Sequence, residues 1–290
     1  MEAVHPLTRL IEEVDLMGSF WNKKHGLFKS ASPVSGMLDE TAIQEVLDFG
    51  LLRWPYFMLL KEGIQPAISD FTRTRTVRGK SVSGFADARK VRALLDGGAT
   101  MKLSQLEDWH LPTRQLMDEI ERRLPAELKA YIFYTPCDNT GMLPHRDASH
   151  VLALQIAGAK EWRIYDAPDK VDARGGLLPD LDPDSYSHSF VMEPGDVLYL
   201  PHGVPHVATA RTGTSLHLTL TLTEPAPLQL VRSLMEGFGD EADRLEDAVS
   251  GLSPEAKAEA MTRALIDHLN RTDADALVGS AVARMRNRRA

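Results

Sequence analysis

Hydrophobic and polar positions follow two different periods along the 290-residue chain, and the change between them marks three zones. To about residue 127, short helical patterns mix with turn signals. Asp39 or Thr41 is placed to cap a helix running through Leu47, and Leu116, Ile120 and Leu124 recur at helical spacing until Pro125 breaks the run. Gly79, Gly84 and the Gly97-Gly98 pair mark loops. From about 128 to 224 the runs become short, apolar or alternating, and are punctuated by proline and glycine. They predict strands at Tyr131–Tyr134, Val151–Ala157, Lys160–Tyr165, Ser189–Met192, Val197–Leu200 and Ser215–Thr223. In the last of these, Leu216, Leu218, Leu220 and Leu222 alternate with Ser215, His217, Thr219, Thr221 and Thr223, so one face is apolar and the other carries hydroxyls and imidazole. Several short strands in sequence predict a sandwich or barrel.

From Glu224 the pattern returns to helix. Ser253-Pro254-Glu255 combines a capping serine, a proline at the first helical position and an early acid, ahead of an alanine-rich stretch to about Asn270. Arg284, Arg286, Arg288 and Arg289 end the chain as a solvated or frayed basic tail. The expected organisation is a helical or mixed N-terminal region packing on a barrel (1–127), a β core (128–224) and a C-terminal helical region suited to dimerisation (225–290).

Composition narrows the chemistry. With 33 basic and 41 acidic residues the formal charge is −8, which disfavours extended contact with a phosphate backbone. No run reaches the roughly 18 apolar residues of a membrane helix, and Met1-Glu2-Ala3-Val4-His5 lacks the basic and apolar regions of a signal peptide, so the expectation is a soluble, cytoplasmic protein. One cysteine, Cys137, stands against ten histidines. That excludes an internal disulfide framework, a Cys-rich zinc module and an all-cysteine iron–sulfur site, and leaves histidine and carboxylate to build any metal centre.

Six histidines, His145, His150, His188, His202, His206 and His217, fall in the strand zone. In His145-Arg146-Asp147, residues i and i+2 of an extended segment point the same way, so an imidazole and a carboxylate can reach one metal. A histidine from a distant strand would complete a facial triad with open positions, as in non-haem Fe(II) oxygenases. The stretch Gly195 to His206 supplies a candidate. It reads as turn, short buried strand, second turn and histidine, the Gly-x5-Pro-x-Gly-x2-His pattern of the second cupin motif.

Gly141 to Asp147, Leu154 to Tyr165, Pro201 to His206 and Ser215 to Thr219 together resemble the JmjC oxygenases of the ribosomal-oxygenase, or cupin-4, type. Weaker likeness at Phe20-Trp21 and Gly98-Ala99-Thr100 extends it over most of residues 15–225. The resemblance implies a double-stranded β-helix core with helical elements on either side in sequence, holding Fe(II) through His145, Asp147 and His206, with 2-oxoglutarate and dioxygen as co-substrates. It also implies that Lys160 binds the distal carboxylate of 2-oxoglutarate. Strand parity agrees, since Lys160 shares a face with Trp162 and Ile164 while Glu161, Arg163 and Tyr165 point away. Thr135, Thr219 and His217 are candidates to reach the co-substrate, His217 being equally readable as an ordinary barrel histidine. His202 is expected in an exposed loop, and His150 and His188 at the surface.

The chain departs from the family pattern where Asn-x-Tyr-x-Thr-Pro becomes Tyr131-Ile132-Phe133-Tyr134-Thr135-Pro136, and where the second motif's final asparagine becomes Ala210. Loss of an amide and a hydroxyl leaves metal binding intact and alters which substrate is recognised. The C-terminal zone is short for a dimerisation region plus a complete winged-helix domain. The expected activity is hydroxylation of a side chain in a protein, of the ribosomal arginine or histidine type, or in a peptide, with a basic partner favoured over nucleic acid or membrane and a homodimer formed through the C-terminal helices. The rivals are a metal-dependent cupin enzyme that does not use 2-oxoglutarate and a non-catalytic JmjC binding module. A histone demethylase fits less well.

Overall fold

The two longest strands both extend beyond the single runs that the sequence predicts. The computed structural model of the protein describes residues 4–136, 138–166 and 174–287, the side chains of Thr212 and Asp240 apart. Cys137, Arg288 and Arg289 lie outside the described residues. In chain order the strands are β1 (Gly26–Phe28), β2 (Phe57–Leu60), β3 (Thr72–Val77), β4 (Lys80–Ala86), β5 (Thr100–Ser104), β6 (Glu127–Thr135), β7 (His145–Arg146), β8 (His150–Ile164), β9 (Gly176–Leu177), β10 (His188–Met192), β11 (Val197–Leu200) and β12 (His206–Thr223).

β8 joins two predicted strands across Gly158, whose φ of +63° needs glycine and whose backbone packs so closely that a Cβ would lie 2.1 Å from the Thr214 carbonyl oxygen. β12 begins at His206 rather than Ser215 and stays paired with β8 as far as Leu222, opposite His150. Its register slips between Ala210 and His217: Ala210 lies opposite Lys160, Leu216 opposite Ala157 and His217 opposite Gln155. The extra β12 residues form a bulge, which bends the strand and resets its parity.

Ten of the described strands make one curled antiparallel sheet, a half-barrel with the central order β1-β11-β8-β12-β6-β5-β2. β10 adds to the far half of β8, and β7, itself paired with β9, adds to the start of β12. The sequence reading did not anticipate that the first zone contributes β1, β2 and β5 to this sheet, nor that Gly84 lies inside β4 rather than in a loop. These strands are too short to show a period by themselves and exist because partner strands satisfy their backbone groups. Val197–Leu200 is buried on both faces, as is the first half of β8. Each such side chain contributes roughly 1.5–3 kcal/mol as an upper bound. The hydroxyl and imidazole face of β12 is buried as well at Ser215, His217 and Thr219, because the sheet curls around it.

The α-helices are α1 (Pro6–Glu13), α2 (Glu40–Phe49), α3 (Ile68–Phe71), α4 (Ala88–Asp96), α5 (Leu106–Trp109), α6 (Leu111–Glu121), α7 (Pro227–Val249), α8 (Pro254–Arg271) and α9 (Ala274–Asn287), and Leu16–Phe20 is a π-helical turn. Asp39 caps α2 by accepting from the Ala42 amide at 2.8 Å. α6 ends before Leu124. By internal contacts the chain divides into one unit holding residues to 123 and 128–222, and a second holding 124–127 and everything from 223 on. In the second unit, Ala281, Val282 and Met285 of α9 and Phe238 of α7 are buried, and the Ser253 hydroxyl caps α8. The predicted frayed basic tail is helical through Asn287. Arg286 donates to the carbonyls of Leu124 at 3.0 Å and Ala126 at 2.7 Å, which gives these two acceptors between α6 and β6 a charged partner. No helix among the described residues is long and apolar enough to cross a membrane.

Candidate metal centre

His206 opens β12 directly opposite His145 of β7. Facing residues of an antiparallel pair project to the same side, and Asp147, two residues beyond His145, joins them there. The turn ahead of His206 is fixed by Gly203, whose φ is +75° and whose amide donates to the Asp147 carbonyl at 3.1 Å, tying the two ligand segments together. One potential ligand atom from each of His145, Asp147 and His206 lies within 4.8 Å of the others, and His206 Nε2 is 3.6 Å from Asp147 Oδ2.

Both imidazoles are oriented from behind. His145 Nδ1 donates to the Leu143 carbonyl at 2.9 Å and His206 Nδ1 to the Val204 carbonyl at 3.0 Å, which leaves each Nε2 with its lone pair toward the shared point. Burial and the neighbouring His206 lower the His145 pKa to about 4, so the ring is neutral, as a ligand must be. Two imidazole nitrogens and one carboxylate form a facial set with open positions, a donor set suited to ferrous iron.

Lys160 lies deeper in the half-barrel. It is buried, and its Nζ donates to Thr135 Oγ1 at 3.1 Å and stands 3.5 Å from His217 Nδ1. Thr135 and Thr100 hydroxyls are 3.1 Å apart. Desolvation lowers the lysine to about 7, with no charged neighbour among the described residues to offset it. A carboxylate reaching this amine would supply the missing partner. His217 is held neutral well below its ordinary range by burial and by Lys160. The Phe133 ring stacks on it with centroids 5.0 Å apart and planes within 6°.

His206 and His217 differ in parity and would face opposite ways on a regular strand. The bulge reverses this, and Trp162 lies 5.6 Å from each ring. Gln155 secures the bend by donating to the Ala157 carbonyl at 2.8 Å and to Ser215 Oγ at 2.9 Å. Thr219 is buried one pleat beyond His217 on the same face and is not among the groups bonded to Lys160.

Two histidine expectations are corrected. His150 is buried, not at the surface: it stacks on Trp21 at 3.8 Å and its Nδ1 is 2.9 Å from the Tyr199 hydroxyl. His202 is half-buried beside it, and its amide donates to His150 Nδ1. The Phe20-Trp21 segment closes over this part of the sheet, which no local pattern reveals. His188 is exposed, edge-on to His25. The sequence reading missed Lys102, whose Nζ sits 4.1 Å from the Tyr131 ring centroid and 5.4 Å from that of Phe133. The alternation of polar Thr100, Lys102 and Ser104 with apolar Met101 and Leu103 was the available signal.

Residues 105–230 match the JmjC domain family model. Among relatives by sequence, ribosomal oxygenase 2 of Mus musculus is 25% identical over 209 residues, covering 70% of this chain and 43% of the relative. The bifunctional lysine-specific demethylase and histidyl-hydroxylase NO66 of Drosophila persimilis is 32% identical over 127 residues, covering 43% of this chain and 18% of the relative. The chain thus spans less than half the length of these curated relatives. The ribosomal oxygenase YcfD of Escherichia coli, solved in complex with cobalt and 2-oxoglutarate, superposes with a TM-score of 0.55 at 16% identity, covering 89% of this chain and 67% of that one, and so shares the fold.

Proposed function

The chain carries a JmjC domain similar in sequence to those of ribosomal oxygenases, and on that premise we propose that it is an Fe(II)- and 2-oxoglutarate-dependent oxygenase hydroxylating a side chain of a protein or peptide. The observation that carries the proposal is the convergence of His145, Asp147 and His206 within 4.8 Å, on a wall that also holds a buried lysine bonded to uncharged groups. Iron bound with 2-oxoglutarate and dioxygen supplies coupled oxidation: one oxygen atom enters succinate as carbon dioxide leaves, and the other enters a substrate C–H bond.

The chain's own residues set the geometry. The Leu143 and Val204 carbonyls fix the ring tautomers, and Asp147 closes the facial set. Lys160 takes the distal carboxylate of 2-oxoglutarate, with Thr135 holding the amine in place and His217 accepting from it. Thr219 is assigned a weaker part, lining the same face. Phe133 and Trp162 exclude water beside the metal.

The substrate is proposed to be an arginine or histidine of a ribosomal protein, or a smaller peptide. The peptide reading is favoured by Tyr131, which puts a ring where the family has an amide, and by Phe133, which lacks the hydroxyl of the family's tyrosine. The acidic surplus favours a basic partner at long range. A homodimer through the C-terminal helices is part of the proposal, supported by Leu228, Val231 and Met235, exposed along α7 at helical spacing. The cytoplasm is the proposed setting, because a ferrous site suits a reducing compartment.

The test is succinate formation with Fe(II) and 2-oxoglutarate, compared with His145→Ala and Lys160→Ala, followed by mass spectrometry of candidate peptides for one added oxygen. Iron-loaded protein that neither binds nor consumes 2-oxoglutarate would end the proposal.

A further inference from the structure

β6 presents Tyr131, Phe133 and Thr135 on one face, and β5 presents Thr100 and Lys102 beside them, with Lys102 directly opposite Phe133. The file has direction. At its deep end Thr135 bonds Lys160; in the middle Phe133 stacks on His217; further out Tyr131 and Phe133 form a half-buried aromatic shelf beneath the Lys102 ammonium. The lysine therefore sits over rings that lead to the metal set through His217 and Trp162.

We propose that Lys102 with the Tyr131 and Phe133 rings forms the subsite for the reacting residue, and that it selects a side chain bearing a carboxylate and rejects one bearing a positive charge. This rests on the oxygenase reading and, of the substrates proposed there, decides against the ribosomal arginine or histidine and for the peptide, with an acidic reacting residue. Burial pushes the Lys102 ammonium below its ordinary range and the field of Asp147 opposes that; Asp147 is committed to the metal, so among the described residues the ammonium has no anion to itself once the centre is loaded. A substrate carboxylate supplies that anion, while its carbon chain lies on the two rings. An arginine or lysine side chain on the same shelf would bring a second cation to about 6 Å from the first, a repulsion on the order of a hundredfold in affinity at a partly buried site. The negative surface as a whole can still steer a basic protein; what the subsite excludes is a basic residue at the reacting position.

Binding without turnover isolates the effect. Full-length protein loaded with Mn(II) and 2-oxoglutarate without oxygen is titrated into two fluorescein-labelled nonapeptide pools with uncharged flanks, one centred on Asp and Glu and the other on Arg and Lys. Thermal shifts with Mn(II) and with 2-oxoglutarate are recorded for every protein used. The acidic pool is expected to bind at least tenfold more tightly, Lys102→Gln to erase the preference and Lys102→Glu to reverse it. Equal binding, no binding by either pool, preference for the basic pool, or an unchanged preference in a Lys102→Glu protein that still shows both thermal shifts overturns the inference while leaving the oxygenase reading in place. Wild-type protein that shows neither thermal shift overturns both.

Discussion

Replacing Lys160 by methionine should make the protein more stable and its co-substrate site useless. The ammonium is buried to 3% exposure, and its pKa falls from 10.5 to about 7. Carrying that cation in the fold near neutral pH costs about 4–5 kcal/mol before any co-substrate binds. Methionine keeps a flexible stem of similar length and removes the charge. It gives up the hydrogen bond to Thr135, about 1 kcal/mol, although Thr135 retains Thr100. The net expectation is a gain of about 2–4 kcal/mol, or roughly 5–10 °C in melting temperature for a unit of this size.

The pH dependence fixes the sign. The folded pKa lies below the unfolded one, so between about pH 7 and 10.5 the unfolded chain holds more protons and wild-type stability rises with pH; the full penalty is present below pH 7. Lys160→Met should lack that rise. Thermal melts of protein without 2-oxoglutarate at pH 6, 7 and 9 measure both effects, and calorimetry should show at least a hundredfold loss of 2-oxoglutarate affinity. Binding of 2-oxoglutarate to wild type above pH 7 should also take up a proton, visible as a buffer-dependent heat. A variant no more stable than wild type at pH 7, or one with the same rise toward pH 9, would refute the account of Lys160 as a strained cation awaiting an anion.

Three further outcomes follow from the same contacts. Asp147→Ala should abolish the thermal shift produced by Mn(II) or Fe(II) while the metal-free protein still melts cooperatively, because the carboxylate is half-exposed and its loss leaves only the two imidazoles to hold a cation. Asp196 is buried, accepts from the Ser30 and Glu193 amides at 2.8 Å and pairs with Lys29, and these hydrogen bonds outweigh burial to hold its pKa below 3.8. It stabilises above that value and the gain is lost as pH falls through the folded pKa, so Asp196→Asn should cost about 1–3 kcal/mol at pH 7 and flatten the acid limb of a stability–pH profile. Gly158→Ala should destabilise by more than about 3 kcal/mol in urea titration, since a positive φ and a backbone clash coincide there.

Much of the metal set is legible in the chain because it depends on local rules. An i, i+2 pair shares a strand face wherever it falls, and the proline and glycine turn before His206 acts over five residues. Lys160 comes from the family resemblance, and the same parity argument only agrees with it. The caps of α2 and α8 are equally local: Asp39 and Ser253 each bond an amide three residues on. The failures have a common cause. His150 and Lys102 acquire their surroundings from Trp21 and from β6, partners distant in sequence, and β1, β2 and β5 are short segments made into strands by what they pair with.

The sequence by itself determined the strand-rich centre between helical flanks, the exclusion of thiolate chemistry and the candidate ligands, since composition, period and turn chemistry act within a few residues. Only the tertiary structure decided that His206 and His217 face the same interior. Strand parity assigns them to opposite sides, and the break in register between Ala210 and His217, held by Gly158 and Gln155 on the neighbouring strand, turns both toward Trp162. A break in register is a property of two strands together, and neither strand carries it alone.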